Sequence, residues 1–203
     1  DDLTITNPLW ENAVKMQLPL WGVPKNLQYF KEIDGGLKVP IGYLDTLKTF
    51  LPYHSIIDER FISEDSQLIE FTGKLKPYQE SAVLEMSTHS NGVLVAKGGA
   101  GKTVMMIKMI CMSGQPTLIL THTKELANQF IDRLTQFTNL TREDIGFLGS
   151  GQFNLKPVTV ALMQTLIRRP ISELQTLPFG MVFVDEVLTM SKPLRIIIIW
   201  KSK

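Results

Sequence analysis

The sequence predicts an α/β protein: a mostly parallel sheet with helices on both faces, preceded by a small mixed α/β domain of short elements. Three observations predict it. Short apolar runs, Val93–Ala96, Thr117–Leu120, Ile145–Leu148, Val158–Leu162 and Met181–Val184, read as buried strands. Between them lie stretches with helical periodicity, chiefly 102–113 and 124–138. The first 72 residues lack this alternation and are punctuated by Pro8, Pro19, Pro24, Pro40 and Pro52. The expected domains are therefore residues 1–72 and 73–203.

Composition narrows the class. The chain has 203 residues, 44% hydrophobic and 20% charged, enough for a sizeable core. A net charge of +1 gives no global field toward a polyanion, so any nucleic-acid contact is a local patch. The single cysteine, Cys111, excludes an internal disulfide and reads as core rather than reactive. A cytoplasmic, reducing compartment is the expectation. No apolar run reaches the roughly 18 residues of a membrane span, and Asp1-Asp2 does not open a signal peptide. The lack of an initiator Met reads as a fragment edge.

In the first domain, Asn7-Pro8 opens a helix with Leu9, Ala13 and Met16 at helical spacing. Leu27–Ile33 reads as a strand, Asp34-Gly35-Gly36 as a turn and Leu37–Pro40 as the returning strand. Gly42–Leu51 reads as a helix and Ser55–Ile62 as extended chain. Trp10, Trp21, Tyr29, Phe30 and Tyr43 fill a small core; a nucleic-acid stacking surface is the alternative.

Phe71–Lys76 reads as the join, and Pro77-Tyr78-Gln79-Glu80 opens a helix that ends near His89–Gly92, with Gly92 as its cap. The chemistry begins with the strand 93–96. Ala96-Lys-Gly98-Gly99-Ala100-Gly101-Lys102-Thr103 follows it and leads into an apolar helix. Glycines let backbone N–H groups curl around a phosphate, and the helix start adds unsatisfied N–H groups and a partial positive charge. Gly98, Gly99, Ala100 and Gly101 form this cradle, Lys102 is placed to reach the β/γ-phosphates, and Thr103 to ligate Mg²⁺. Ala96 stands where the strict pattern has glycine. Beyond the loop, Leu126, Phe130, Leu134 and Phe137 mark the core face of the next helix. Gly149-Ser-Gly151 is a loop, Met163–Arg168 a short helix and Ser172–Leu177 a further helical turn. Asp185-Glu186 closes the apolar strand 181–184. Asp185 is placed to hold the Mg²⁺ shell, mostly through water, and Glu186 to orient or deprotonate the attacking water.

Leu75–Gln79, Ala96–Thr103, Leu120–Ala127, Val158–Leu166 and Val182–Glu186 together resemble the successive motifs of superfamily 2 DEAD/DEAH-type helicases, nearest to bacterial and phage enzymes related to XPB-type DNA translocases. The resemblance implies a RecA-like P-loop domain with three α-β-α layers, and ATP and Mg²⁺ as ligands. It implies that Gln79 reads the adenine edge. Thr121, His122, Thr123 and Lys124 match one motif that touches the nucleic-acid backbone; Thr159, Gln164 and Thr165 match another, as hydroxyls and amides suit phosphate contacts. A capping or structural role is the alternative for each residue singly. The implied partners are DNA, with RNA as the alternative, and a second RecA-like domain completing the ATP site.

Three features depart from that family. Leu188 stands where the family carries a hydrogen-bonding His or Asp, so coupling to the next motif is expected to suffer. The Ser-Ala-Thr-type motif and the second motor domain do not follow within the 203 residues. Ser191–Lys203 has no counterpart, and its Ile196–Trp200 run reads as an aggregation-prone strand if exposed. A truncation or frame change soon after Glu186, and low ATP turnover by the chain alone, are the resulting expectations.

Overall fold

A computed structural model of the chain describes residues 4–17, 24–28, 30–34, 36–39, 43–50, 68–169, 173, 177–185 and 196–200. The chain divides into two compact units, Asp1–Ile57 and Asp58–Lys203.

In the first unit β1 (Thr4–Thr6) pairs antiparallel with β2 (Asn26–Gln28), and α1 (Pro8–Lys15) lies between them in sequence. Asn7 is buried, and its amide donates to the Pro24 carbonyl at 2.9 Å, tying the start of α1 to the approach to β2. β3 (Lys31–Ile33) and β4 (Gly36–Lys38) pair antiparallel, with Ile33 opposite Gly36. The single strand expected over 27–33 is thus split between two ladders. α2 (Leu44–Phe50) sits inside the helix expected there. Lys25 Nζ lies 5.4 Å from the centre of the half-buried Trp10 ring. Trp21, Tyr29 and the extended stretch read at 55–62 lie outside the described residues.

The second unit is built on a seven-stranded sheet. Its strands are β5 (Asn91–Leu94), β6 (Thr117–Thr121), β7 (Ile145–Gly149), β8 (Gln152–Asn154), β9 (Val158–Leu162), β10 (Met181–Val184) and β11 (Ile196–Trp200), in the spatial order β5-β11-β10-β6-β9-β7-β8. β10, β6, β9 and β7 are mutually parallel. β11 runs antiparallel to both β10 and β5, so β5 points the same way as β10. The isoleucine run read as strand-forming therefore lies within the sheet, paired along both edges.

α3 (Pro77–Ser87), α4 (Lys102–Ser113) and α5 (Lys124–Phe137) cover one face. Met106, Ile107 and Ile110 of α4 have no exposed surface and pack with Ile119, Val160 and Phe183 of the sheet. Each such side chain contributes about 1.5–3 kcal/mol of burial. On the other face a smaller cluster, Leu118, Leu148, Ala161, Leu166 and Phe179, gathers around the five-residue α6 (Met163–Ile167). The two helical layers are thus unequal among the described residues. No described helix is long and apolar enough to cross a membrane.

Several boundaries differ from the sequence reading. α3 ends at Ser87 with Thr88 as its C-cap, and Gly92 lies within β5 rather than capping the helix. β5 begins two residues before the run expected there; Val93 is exposed, and among the described residues β5 lies at the end of the strand order. The hairpin strand β8 and a 3-10 turn at Arg142–Asp144 had no clear periodic signal. Ser150 and Gly151, both at positive φ, form the two-residue turn between β7 and β8, where the sequence showed only a loop. Ile69 is buried in the core of the second unit, Phe71 bridges to Thr138 and stacks on Phe137 at 6.5 Å, so the join read at Phe71–Lys76 lies within that unit. Most of the helical turn read at 172–177 lies outside the described residues.

Cys111, half-buried on α4, has its thiol pushed up from 9.0 to about 11, chiefly by burial. The core reading of this residue carries a kinetic prediction. At pH 8 the folded thiolate fraction is roughly 100-fold below that of an unperturbed thiol. Alkylation by iodoacetamide is expected to be at least that much slower in the native chain than in urea. Its native rate keeps rising with pH above about 10, where the unfolded rate levels off; equal rates in both states would contradict the placement.

Candidate functional site

The parallel strands bring their carboxyl ends to one sheet edge. β5 leaves at Leu94, β10 at Val184, β6 at Thr121 and β9 at Leu162. With β11 between them, β5 and β10 are two strand spacings apart, about 9.5 Å. Loops at this edge of a parallel sheet are where ligands bind.

The glycine loop starts here. Ala100 N donates to the Lys97 carbonyl at 3.2 Å, closing a turn whose third residue, Gly99, has φ +76°. That dihedral is the one a type II turn reserves for glycine. Gly101, at φ +80°, is the N-cap of α4, and its carbonyl receives the helical bond from Met105 N at 3.1 Å. Added Cβ atoms at Gly98 and Gly99 would meet nothing within 4 Å, so the loop backbone is open to close approach. Ala96 is not at positive φ, so the missing first glycine of the strict pattern brings no strain. Lys102 Nζ donates to the carbonyls of Ala96 at 3.2 Å and Lys97 at 3.3 Å, bringing its ammonium over the loop. Thr103 follows in the first turn of α4.

Gln79 is buried on α3 against this loop. Its Oε1 accepts from Lys76 N at 2.8 Å, and its Nε2 donates to Ala100 O at 2.9 Å and Tyr78 Oη at 3.3 Å. Both amide N–H groups are thus engaged, and the remaining capacity is a lone pair on Oε1. In this arrangement Gln79 can accept from a base but donates to the protein. Tyr78 Oη donates to Ala100 O at 3.0 Å. Sequence reasoning assigned Tyr78 no role of its own; its adjacency to Gln79 was the signal.

Asp185 follows β10, half-buried, with its N–H bonded to Leu120 O at 2.9 Å. Glu186 and Leu188 lie outside the described residues.

The expected nucleic-acid residues separate by exposure. Thr121 has no exposed surface, and its hydroxyl donates to the carbonyls of Ala161 and Thr123, each at 3.4 Å. Contact with a backbone phosphate is closed to it here; it holds the end of β6. Thr159 is equally buried, with its hydroxyl between Lys156 N and O at 3.0 and 2.7 Å. Thr123 caps α5 by accepting from Leu126 N at 3.2 Å, while remaining exposed beside Lys124. Glu125, in the same turn, is held below the ordinary carboxylate range by its own backbone N–H and then by the Thr123 side chain. His122 and Thr165 are half-buried and Gln164 exposed.

Gly101 gives a direct test of the loop. A Cβ there would both meet Gln79 Nε2 and sit at a left-handed φ. Gly101→Ala is expected to cost about 1–2 kcal/mol from the backbone alone. A fall in melting temperature together with faster amide exchange in residues 97–103 would show it; an unchanged loop would contradict it.

Comparison with known proteins adds to this geometry. The family described as type III restriction enzyme, res subunit, matches residues 72–192. A protein of Haloarcula marismortui named putative DNA 3'-5' helicase Rad25 is 33% identical over 122 residues, covering 60% of this chain and 20% of that protein. The DNA 3'-5' translocase XPB2 of Sulfurisphaera tokodaii is 29% identical over 162 residues, covering 79% and 36% respectively. The chain thus spans a minor part of these relatives' length. The crystal structure of the UvsW helicase from bacteriophage T4 superimposes with a TM-score of 0.61 at 18% identity, covering 90% of this chain and 72% of that one, a likeness of fold. With the family match spanning the glycine loop and the acidic strand, the chain belongs to the type III restriction enzyme res-subunit family, among the superfamily 2 helicase-type proteins that its motifs resemble.

Proposed function

We propose that this chain is the nucleotide-binding part of an ATP-dependent DNA helicase or translocase. It binds ATP with Mg²⁺ at the loop 96–103, contacts nucleic acid along the same sheet edge, and hydrolyses ATP when paired with a second RecA-like domain. The observation that carries the reading is a glycine loop with open backbone and an acidic strand end, Asp185, on one edge at a spacing of about 9.5 Å. Relatives named as DNA helicases and translocases support DNA, and a relative named as a putative ATP-dependent RNA helicase keeps RNA as the alternative. A cytoplasmic setting fits the lone thiol.

The residues present suit Mg²⁺. No group of three or more His, Cys, Asp or Glu among the described residues forms a protein cage for a metal. Magnesium with a nucleotide needs none, since it keeps several waters and takes few protein ligands. Thr103 and Asp185 would supply those ligands. Bound Mg²⁺ neutralises charge on the β- and γ-phosphates. Lys102 leaves the Ala96 and Lys97 carbonyls and donates to the phosphates. The N–H groups of residues 98–101 orient them. Gln79 offers its free lone pair to the exocyclic amine of adenine. Glu186 orients the attacking water and takes its proton. Exposed Thr123, Lys124 and Gln164, with half-buried His122 and Thr165, face the nucleic-acid backbone, and Thr121 keeps their loop in place.

A second reading is a nucleotide- or nucleic-acid-binding chain without catalysis, favoured by Leu188, which cannot make the hydrogen bond the family uses at that position. Calorimetry and ATPase assays separate the two. The 203-residue chain is expected to bind MgATP, and Lys102→Ala to weaken it roughly 10- to 100-fold by removing a charged donor. Turnover by the chain alone is expected to be low and to rise when a second motor domain is supplied. No rise on that addition favours binding without catalysis. Vigorous DNA-stimulated turnover by the chain alone, abolished in Lys102→Ala, would overturn the need for a second wall.

A further inference from the structure

We propose that Tyr78 is a positioning residue of the nucleotide site, holding the Ala100 carbonyl so that the next peptide N–H, that of Gly101, stays turned toward the phosphate. The inference rests on the phosphate-loop reading and deepens it.

The argument starts from the peptide unit between Ala100 and Gly101. A trans peptide is planar, so its C=O and N–H point in opposite directions. Fixing the Ala100 oxygen therefore fixes the direction of the Gly101 N–H. That unit turns about ψ of Ala100 and φ of Gly101, and Gly101, at φ +80°, has no side chain to restrain it. The restraint comes from α3. Tyr78 Oη and Gln79 Nε2 both donate to Ala100 O, at 3.0 and 2.9 Å, and take its two lone pairs. The hydroxyl is itself aimed, since Gln79 Nε2 also donates to it at 3.3 Å. The amide is aimed in turn by Lys76 N on its Oε1 at 2.8 Å. The result is a closed ring of bonds from the first turn of α3 to the loop, with the Ala100 oxygen drawn toward α3 and the Gly101 N–H directed away from it.

Tyr78 has about half of its surface exposed, so its ring contributes little to the core. The function of the residue therefore resides in the hydroxyl. Tyr78→Phe keeps the ring and removes one donor from Ala100 O, leaving a Gln79 N–H without its acceptor. A group that shapes the phosphate cradle affects every triphosphate alike, whereas a group that touches the base affects only adenine nucleotides.

The test is calorimetric titration of the 203-residue chain with MgATP, MgGTP and magnesium tripolyphosphate, for wild type, Tyr78→Phe, Gln79→Ala and Lys102→Ala. Tyr78→Phe is expected to weaken all three ligands by the same factor, roughly 3- to 10-fold. Its melting temperature is expected to fall only slightly, by the cost of the lost hydroxyl bonds, and its amide exchange to quicken at Ala100 and Gly101. Gln79→Ala is expected to lose additional affinity for MgATP alone. Wild-type affinity of Tyr78→Phe for tripolyphosphate, or a loss confined to MgATP, would overturn the proposal while leaving the phosphate loop intact. Failure of wild type to bind any of the three, or equal binding by Lys102→Ala, would overturn the phosphate-loop reading and this proposal with it.

Discussion

The strand that carries the glycine loop is held in the sheet by one neighbour. Among the described residues β5 pairs only with β11, through the register Leu94↔Ile196 to Asn91↔Ile199. β11 in turn pairs with β10, from Val184↔Ile197 to Met181↔Trp200. The distance from the loop to Asp185 is therefore set by the backbone ladder of a five-residue strand running against its neighbours. Four consecutive isoleucines suit that slot, since β-branched residues favour the extended backbone. The same run would be a hazard on an open edge, and pairing along both sides removes the template for aggregation.

Behind the loop the packing is one-sided. α4 begins at Lys102 and is buried through Met105, Met106, Ile107, Met109 and Ile110, so the cradle is the end of a rigid element. Lys108, the polar interruption of that helix, lies with its Nζ 5.1 Å from the centre of the Phe71 ring, which joins α4 to the stretch before α3. α3 and α4 thus pack as neighbours in one core, which is what allows side chains of α3 to reach the loop that starts α4. The opposite face, with its short α6, contributes less apolar burial, while the ends of β6 and β9 lie beside the exposed polar residues Thr123 and Gln164.

What was legible in the sequence follows periodicity and local chemistry. α4 was bounded correctly by Lys102 and Gly114 because an apolar helix between two left-handed glycines leaves sharp signals at both ends. β9 and β10 were clear for the same reason, as apolar runs between polar breaks. β5 was misplaced by two residues because Val93, Val95 and Ala96 look like a buried strand, yet an edge strand needs burial on few sides and its pairing is decided by β11, about a hundred residues away. β8 is exposed throughout and carries no pattern to read. At the site, the loop and Asp185 were visible as motifs, but a threonine's exposure is not. Thr121 and Thr123 differ by two positions and look alike in sequence; one is fully buried with its hydroxyl on the Ala161 carbonyl and the other caps a helix in solvent. The hydroxyl of Tyr78 was unreadable because its partner is a backbone oxygen 22 residues on.

The two bonds from Lys102 to the Ala96 and Lys97 carbonyls have a further consequence. The ammonium serves as the loop's own counter-ion, neutralising carbonyl dipoles that would otherwise repel an arriving anion. On the phosphate-loop reading, loading an anion is then an exchange of acceptors for one cation. Such an exchange leaves the backbone nearly in place and demands little reorganisation, and its reverse is equally short. On the phosphate-loop reading, the swing of one lysine side chain is what distinguishes the empty cradle from the filled one.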